Sequence, residues 1–246
     1  MEWRDEGIVL ATRPFGETSV ILDVLTREHG RCAGLVRGGS SRRMRPSLQP
    51  GNTLSLTWRA RLEDQLGNFA IELAEARAGR LMETATGTFG IQALAGLLKL
   101  LPDRDPHPRL YEALGLVLEH LDEAQAAGAI MVRFEMAYLE EAGFGLDLTC
   151  CAATGVTEDL IWVSPRTGRA VSREAGQPYA AKLLTLPGFL IDEAAATPST
   201  PMEVRAAFDL TGFFLEACLL GPTDKRLPSA REHFVSAVTR GLDASG

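Results

Sequence analysis

The alternation of apolar and polar residues divides the chain into a strand-rich first third and a helix-rich remainder. Large apolar side chains occupy every second position at residues 54–58 and again at 69–73, which is the period of a strand with one buried face. Glycine, proline and polar residues separate such segments, as turns do between strands. The pattern predicts five short strands, at residues 7–12, 19–26, 32–38, 53–60 and 69–76.

A small sheet of this kind has to protect its edge strands from pairing with other chains. Closure into a barrel removes those edges, so an OB-fold is the favoured architecture for residues 1–79, and an SH3-like barrel is the alternative. The sequence therefore predicts an α+β protein in which a five-stranded OB-fold barrel is followed, over residues 80–246, by a mainly α-helical domain.

Past residue 79 the apolar residues follow the helical period instead. Leu110, Leu114 and Leu118 lie on one helical stripe, and Phe134 and Tyr138 lie on a second. The second stripe ends before a glycine that suits a helix C-terminus. The two predicted helices are expected to pack against each other as a pair.

Two local signals follow further along the chain. Thr200 and Glu203 stand at the spacing of a capping box, with proline at the first helical position, and they predict a helix that stops at Gly221. A Pro-Arg-Thr-Gly turn within residues 162–171 predicts a small hairpin.

Composition is that of a globular protein with a substantial core. The 246 residues are 46% apolar and 23% charged. The N-terminal residues lack the basic and apolar regions of a signal peptide, and no apolar run approaches the roughly 18 residues that span a bilayer. The four cysteines, at positions 32, 150, 151 and 218, have no obvious pairing, so reduced thiols are expected. We expect a soluble cytoplasmic protein that does not bind membranes.

Charge is distributed unevenly along this acidic chain. The formal net charge is −7, yet residues 1–80 hold 12 arginines against 10 acidic residues. From Arg31 to Arg61, which we call the acid-free stretch, there are seven arginines and no Asp or Glu. Clustered guanidinium groups neutralise phosphates, so this stretch favours a nucleic-acid contact over a set of ordinary surface arginines.

Motifs that would indicate catalysis are missing from the sequence. It has neither the Gly-x-x-x-x-Gly-Lys loop that cradles phosphates nor the Gly-x-Gly-x-x-Gly fingerprint of dinucleotide binding. No two of its four histidines stand at the i, i+4 spacing of a zinc hydrolase. The sequence predicts a protein that is not an enzyme and has no cofactor.

Two features of the acid-free stretch bear on how it would bind. Trp58 is either a platform on which a base stacks or a core residue. Arg42, Arg43 and Arg45 lie among glycine and serine residues, where a mobile arm could follow a phosphate backbone. Phosphate contacts do not distinguish the sugar, so the residues leave both DNA and RNA open.

The order of several short motifs is similar to that of a known family. The motifs that resemble the amino-terminal domain of the RecO family of recombination mediators are, in chain order, Arg13-Pro14-Phe15-Gly16-Glu17-Thr18-Ser19, Gly30-Arg31, Val36-Arg37-Gly38 and Leu48-Gln49-Pro50. Arg133-Phe134-Glu135 resembles the central helix of the family, and residues 226–231 resemble its C-terminal region. Each motif is weak alone, but their order and spacing cover nearly the whole chain.

The resemblance implies a role in DNA repair and homologous recombination. It implies binding of single- and double-stranded DNA, annealing of complementary strands and help in loading recombinase onto DNA coated by single-strand-binding protein. The implied partners are RecR and the acidic C-terminal tail of the single-strand-binding protein, with RecF left open, and the implied location is the nucleoid. The predicted DNA-binding residues are Arg13, Arg31, Arg37, Arg42, Arg43, Arg45, Arg59 and Arg61.

One departure from the family concerns zinc. Many members carry two Cys-x-x-Cys pairs after the central helix, which hold a structural zinc ion. Here Cys151 is followed at the partner position by Thr154, and the next cysteine is Cys218. Because a structural zinc ion needs about four ligands, residues 147–178 are expected to form a degenerate, metal-free zinc-ribbon-like insertion held by packing around Trp162 and Val163.

The implied protein partner suggests its own site. An acidic tail that ends in an apolar residue needs an apolar hollow with a guanidinium at its rim. Arg109, Arg133 and Phe134, at the edge of the predicted helix pair, are the candidate residues, although both arginines could instead pair with nearby carboxylates such as that of Glu135. The competing functions are a protein-interaction scaffold and an RNA-binding OB-fold protein, which the salt dependence of oligonucleotide binding separates from a DNA binder.

Overall fold

The computed structural model describes residues 1–62, 65–192, 200–221 and 226–245. The strands are β1 (Glu2–Phe15), β2 (Ser19–Thr26), β3 (Arg31–Val36), β4 (Thr53–Arg59), β5 (Asn68–Glu75), β6 (Leu160–Val163), β7 (Ala170–Ser172) and β8 (Leu184–Thr185). The α-helices are α1 (Ala78–Leu81), α2 (Ala85–Leu98), α3 (Pro108–His120), α4 (Ala124–Glu141), α5 (Arg173–Gly176), α6 (Pro201–Leu215) and α7 (Ser229–Ser245). The described ranges also contain two 3₁₀ turns (Gln177–Lys182 and Gly188–Leu190) and a π-helical turn (Glu216–Leu220). None of the helices in the described ranges is long and apolar enough to cross a membrane.

The five predicted strands of the first third are confirmed, and they close into a barrel in the order β1-β2-β3-β5-β4. Strand β1 begins earlier than predicted, because its first residues pair with β4 and place Trp3 opposite Trp58. The barrel closes through a short parallel contact in which Leu35 of β3 lies opposite Asn68 of β5. The α+β class and the OB-like barrel are therefore as the sequence predicts.

The barrel interior is built by the alternating residues of these strands. In β3 the buried and partly exposed positions alternate along the whole strand. Gly34 of β3 leaves room for the ring of Phe69, which a Cβ atom at this position would strike. Trp58 is 2% exposed, and its Nε1 donates a hydrogen bond to the carbonyl oxygen of Leu66 at 3.0 Å. Trp58 is a core residue, and its alternative role as an exposed stacking platform is wrong.

The segment between β3 and β4 forms a folded cap and not the expected mobile arm. Leu48 is buried, and Met44 packs against the barrel core. The side-chain amide of Asn52 donates hydrogen bonds to the carbonyl oxygens of Pro46 and Ser47, at 2.8 and 3.2 Å. These apolar anchors and the buried amide hold the segment, although its glycine and serine content is typical of a loose loop.

The chain divides into two compact units, Met1–Asp122 and Glu123–Gly246. In the first unit the connection between α2 and α3 adds to the barrel, because the backbone N–H of Arg104 donates to the carbonyl oxygen of Arg31 at 2.7 Å. Gly30 has a φ of +66°, and a Cβ atom there would strike the backbone of Asp105. Helices α1–α3 thus belong to the same compact unit as the barrel, whereas the sequence analysis groups them with the helical domain.

In the second unit, α6 packs on α7, and α4 packs on both. The predicted capping box is confirmed, since Thr200 Oγ1 accepts a hydrogen bond from the backbone of Glu203 at 3.2 Å and the Glu203 carboxylate accepts one from Thr200 N at 3.1 Å. Gly143 ends α4 with a φ of +85°, as predicted. The predicted hairpin is β6–β7, and β8 adds a third strand to its sheet.

Helices α3 and α4, which the sequence predicts to pack as a pair, belong to different compact units. In the first unit, Leu114 and Leu118 of α3 border the same small space as Val9 of β1 and Leu94 of α2. In the second unit, α4 is covered by α6 and α7. The apolar stripe of a helix shows which face is buried but not which element covers it, so two neighbouring stripes do not have to face each other.

Candidate nucleic-acid interface

Half of the predicted DNA-binding arginines lie together in the loop that follows β3. We call residues 37–45 the basic loop, and its exposed arginines are Arg37, Arg42, Arg43 and Arg45. Within the described ranges of the chain, no carboxylate forms an ion pair with any of these four side chains. Four exposed and uncompensated guanidinium groups in one loop create a positive potential that attracts phosphates.

The backbone of the basic loop is fixed by turns and by contacts with β2. Ser41 O accepts hydrogen bonds from the backbone N–H groups of Met44 and Arg45, both at 3.1 Å. Gly38 has a φ of +70°, and a Cβ atom at Gly39 would crowd the side chain of Val20. The loop therefore depends on its two glycines, one for its positive φ and one for the close approach to β2.

Two other predicted arginines are neutralised by acidic partners. Arg31 is largely buried, and its guanidinium pairs with Asp103 and, at 3.6 Å, with Asp23. Burial raises the pKa of the Asp23 carboxyl, while the charge of Arg31 opposes that rise. Arg59 donates from Nε to the Glu2 carboxylate at 2.9 Å, and this hydrogen bond raises the pKa of Arg59. Arg31 and Arg59 thus add little net positive charge to the surface.

The remaining predicted residues lie apart from the basic loop. Arg61 is exposed next to the end of β4, roughly 20 Å along that strand from its start. Arg13 is exposed on β1 and lines a cavity of about 390 Å³ together with Arg31 and Lys99. Sequence reasoning missed Lys99, because only the fold brings the end of α2 to this face of the barrel.

The predicted partner-binding residues also separate in the structure. Arg133 is exposed on α4, and its Nη2 donates to the carbonyl oxygen of Phe189 at 3.1 Å. Phe134 is buried, so its ring is not part of an accessible surface. Arg109 lies exposed at the start of α3, in the first compact unit.

Of these three residues, Arg133 lines a concave site. The cavity measures about 510 Å³, and its lining residues are Arg133, Met136, Ala137, Glu140, Gly145, Leu146, Asp147 and Leu190. All of them belong to the second unit. The cavity thus brings the Arg133 guanidinium together with the apolar side chains of Met136, Leu146 and Leu190, and Glu140 and Asp147 are nearby carboxylates.

A buried ion pair links α4 to α7. Glu135 is 2% exposed and receives hydrogen bonds from Arg231 at 2.6 Å (Nε) and 2.9 Å (Nη2). Arg231 also donates to the carbonyl oxygen of Phe208 at 2.7 Å. Burial alone would lower the pKa of Arg231, but the charge and hydrogen bonds of Glu135, together with the charges of Asp209 and Glu216, outweigh burial and raise that pKa. Glu135 therefore pairs with Arg231 and is not the partner of Arg133.

The hairpin region has no donor set for zinc. Among the described residues, no group of three or more His, Cys, Asp or Glu side chains could hold a metal ion. The Sγ atom of Cys151 instead accepts hydrogen bonds from the backbone N–H and the hydroxyl of Ser172, at 3.3 and 3.5 Å. Hydroxyl groups stand where a structural zinc site requires thiolates or imidazoles, so these residues do not fit one.

The same hydrogen bonds change the acidity of Cys151. Burial opposes the thiolate, but donors from Ser172, Thr154 and the backbone of Ala153 outweigh it and lower the pKa of the thiol to about 6. The site stabilises a negative sulfur by hydrogen bonding in place of a metal ion.

Comparison with known protein families matches the strand-rich first third and the helix-rich remainder of the chain to two family models, in the same order. Residues 1–77 match the family model described as Recombination protein O N terminal, and residues 86–227 match the model described as Recombination protein O C terminal. The two models meet near residue 80, whereas the compact units divide after Asp122.

Full-chain similarity gives the same assignment. The chain is 55% identical over 242 residues to the DNA repair protein RecO of Chelativorans sp. (strain BNC1), which covers 98% of this chain and 97% of that protein. It is 53% identical over 240 residues to the DNA repair protein RecO of Mesorhizobium japonicum, covering 98% and 94%. It is 51% identical over 245 residues to the DNA repair protein RecO of Brucella abortus (strain 2308), covering 100% and 99%. With both domain models matched in order and about half of its residues shared with these relatives, the chain belongs to the RecO family of DNA repair proteins.

Proposed function

We propose that this protein binds single- and double-stranded DNA through the basic loop, anneals complementary strands and helps load recombinase onto DNA coated by single-strand-binding protein. The observation that carries the proposal is the set of four exposed arginines, unpaired within the described residues, on an OB-like barrel in a chain of net charge −7. Membership of a DNA repair family supports DNA as the polyanion.

The basic loop suits annealing because annealing needs charge neutralisation and no bond chemistry. Two complementary strands repel each other as polyanions, and guanidinium groups that contact phosphates release counterions and reduce that repulsion. Such contacts are independent of base sequence, which leaves the bases to select their own complement.

Other predicted residues extend or frame this contact. We place Arg13 with Lys99 at the neighbouring cavity, where the Arg31 side chain is held by Asp23 and Asp103. Arg59 contributes weakly because Glu2 already compensates its charge, and Arg61 contacts a strand only if that strand runs the length of β4.

The decisive experiment is fluorescence anisotropy with labelled single-stranded DNA, duplex DNA and RNA at two salt concentrations. Replacing Arg42, Arg43 and Arg45 by alanine weakens binding to all sequences. The slope of log affinity against log salt concentration falls by up to about 0.9 per lost contact on duplex and about 0.7 on single strands. The matched control is the triple lysine variant at the same positions, which keeps the charge and most of the slope.

Three outcomes would contradict this proposal. If the alanine variant binds as well as the wild type, the basic loop is not the interface. If the wild type ignores every oligonucleotide at both salt concentrations, a protein-interaction scaffold is the better description. A clear preference for RNA would replace DNA as the ligand. Arg59→Ala, which removes an already paired charge, serves as the single-site control.

We also propose that the cavity beside Arg133 receives the acidic C-terminal tail of single-strand-binding protein. The guanidinium would hold the terminal carboxylate, and the hollow formed by Met136, Leu146 and Leu190 would hold the last apolar side chain. RecR is the second proposed partner, and this proposal rests on family membership alone. Recruitment through the tail would bring the basic loop to coated single strands.

A further inference from the structure

We propose that Phe15 stacks on an unpaired base of a single strand whose phosphates lie on the basic loop. Phe15 stands at the tip of the β1–β2 hairpin, outside the barrel core, and its ring is 52% exposed. The inference rests on the proposed function, because it requires DNA at the basic loop.

The geometry of the hairpin tip leaves the ring open to solvent. The last paired residues are Phe15 and Ser19, and the chain turns between them. Gly16 has a φ of +63°, and a Cβ atom there would meet nothing within 4 Å. Phe15 is more than half exposed at the last paired position of β1, so its ring is accessible to a flat ligand.

The tip is tied directly to the basic loop. The backbone N–H of Ser40 donates to the carbonyl oxygen of Thr18 at 3.1 Å, and the Ser40 hydroxyl approaches the carbonyl oxygen of Glu17 at 3.4 Å. Val20 lies opposite Val36, the residue before Arg37. Because adjacent strands are about 4.8 Å apart, the backbones of Phe15 and Arg37 are separated by roughly two strand spacings, or about 10 Å.

Charge at the tip favours a base over a phosphate. A single exposed apolar residue is ordinary on a protein surface, so exposure alone would identify nothing. Here the hairpin tip is hydrogen-bonded to the loop that holds four uncompensated arginines, while Glu17 is the one acidic residue of the turn itself. A carboxylate at the tip repels phosphates, and the basic loop attracts them, so the strand presents its phosphates to the loop and its bases to the ring.

Stacking would give the protein a preference for unpaired DNA that arginines cannot supply. In a duplex the bases already stack on one another and their faces are not available. Removing an aromatic side chain that stacks on one base reduces affinity by about fivefold to a hundredfold or slightly more. Phe15 would thus hold single strands with their bases separated during annealing.

The test compares Phe15→Ala with Phe15→Trp and with Leu73→Ala, which removes another exposed apolar side chain from the same barrel. The probes are a labelled single-stranded oligonucleotide, the same oligonucleotide with abasic sites, and a duplex. Phe15→Ala should lose at least about fivefold in affinity for the normal single strand, with little change on the abasic strand or the duplex. The salt slope should stay at the wild-type value, and Phe15→Trp and Leu73→Ala should bind like the wild type.

The outcomes separate this inference from the proposed function. If the wild type and Phe15→Ala bind the normal single strand equally well, Phe15 does not stack on a base, and its exposed ring would then be a candidate contact for a protein partner. An equal loss on normal and abasic strands would also overturn it. If the triple alanine variant of the basic loop still binds DNA fully, the proposed function fails instead, whatever Phe15→Ala does. Thermal unfolding of each variant checks that the barrel is intact.

Discussion

The chemistry of single side chains in this protein depends on donors that lie far away in sequence. Cys151 receives two of its hydrogen bonds from Ser172, 21 residues later, at the end of β7. They help to lower the pKa of the folded-state thiol from its usual value of 9.0 to about 6. A depressed pKa of this kind stabilises the folded protein fully above the unfolded-state pKa, and the stabilisation is lost as the pH falls through the folded-state pKa.

We therefore expect Cys151→Ala to destabilise the protein more at about pH 9 than at about pH 5. The loss at high pH is on the order of 1–3 kcal/mol, the value of a hydrogen-bonded charge, and it shrinks once the wild-type sulfur is protonated. Chemical denaturation at both pH values measures the difference. Cys150→Ala is the matched control, and an equal loss for Cys151→Ala at both pH values would contradict a stabilised thiolate.

Among single residues, the sequence predicted best those whose surroundings are set by local composition. The acid-free stretch marks its arginines by the absence of acids nearby in sequence. Which of them are neutralised depends on distant partners, because Asp103 lies 72 residues from Arg31 and Glu2 lies 57 residues from Arg59. Local composition therefore located the acid-free stretch but could not separate the unpaired arginines of the basic loop from Arg31 and Arg59.

For the helices and strands, the period of the hydrophobic residues predicted where each element lies along the chain, but not which other element it packs against. Strands β2 and β4 lie almost where the sequence places them: β4 shows the alternation of a strand with polar positions on one face, whereas β2 is a short apolar run between turn residues and is buried on both faces. The sequence of α2 shows no one-sided apolar stripe, because the buried residues of this helix lie on most of its circumference and include the small residues Gly87 and Gly90. The apolar stripes of α3 and α4 do not by themselves predict that these helices pair, because a stripe carries no information about which element covers it.

The ion pair between Glu135 and Arg231 is the clearest case of a contact between helices that determines stability. Arg231→Met leaves a carboxylate buried without its partner, so we expect a loss of about 3–5 kcal/mol in the free energy of unfolding. Replacing both residues by Leu and Met recovers most of that loss, because no buried charge remains. Denaturant unfolding measures all three proteins.

Arg169→Met provides the comparison for an exposed pair. Arg169 donates to Asp147 at 3.0 Å, and both side chains are more than two-fifths exposed, so solvent screens the pair and its removal should destabilise the protein far less than Arg231→Met does. If Arg231→Met cost as little as Arg169→Met, the buried pair would not be a determinant of how α4 packs on α7.

The hairpin of β6 and β7 yields a prediction about metal content. With hydroxyl groups of Thr154 and Ser172 around Cys151, zinc binding would have to displace hydrogen bonds without gaining thiolate ligands. Protein purified without added metal should contain no stoichiometric zinc, and a chelator should leave its melting temperature unchanged. Elemental analysis that finds one zinc ion per chain would refute this prediction.

The uneven distribution of charge along the chain bears on both the proposed DNA contact and the proposed protein contact. Residues 1–80 have 12 arginines against 10 acidic residues, while the chain as a whole has 25 basic and 32 acidic residues. An acidic surface repels both DNA and an acidic peptide, so each is restricted to the places where guanidinium groups are exposed. The basic loop and Arg133 lie in different compact units, which allows the two contacts to be removed separately.

Arg133→Glu should abolish binding of a synthetic peptide with the C-terminal sequence of single-strand-binding protein while DNA binding persists. The substitution puts a carboxylate where the terminal carboxylate of the peptide would pair, next to the carboxylates of Glu140 and Asp147 already at this cavity. Calorimetry measures the peptide and anisotropy measures the DNA, with thermal unfolding as a check on the contact to Phe189. Glu140→Gln is the opposite control, because removing a negative charge from the rim should strengthen peptide binding. A peptide that binds Arg133→Glu with unaltered affinity would place the tail site elsewhere, since no acidic ligand can exchange a guanidinium for a carboxylate without loss.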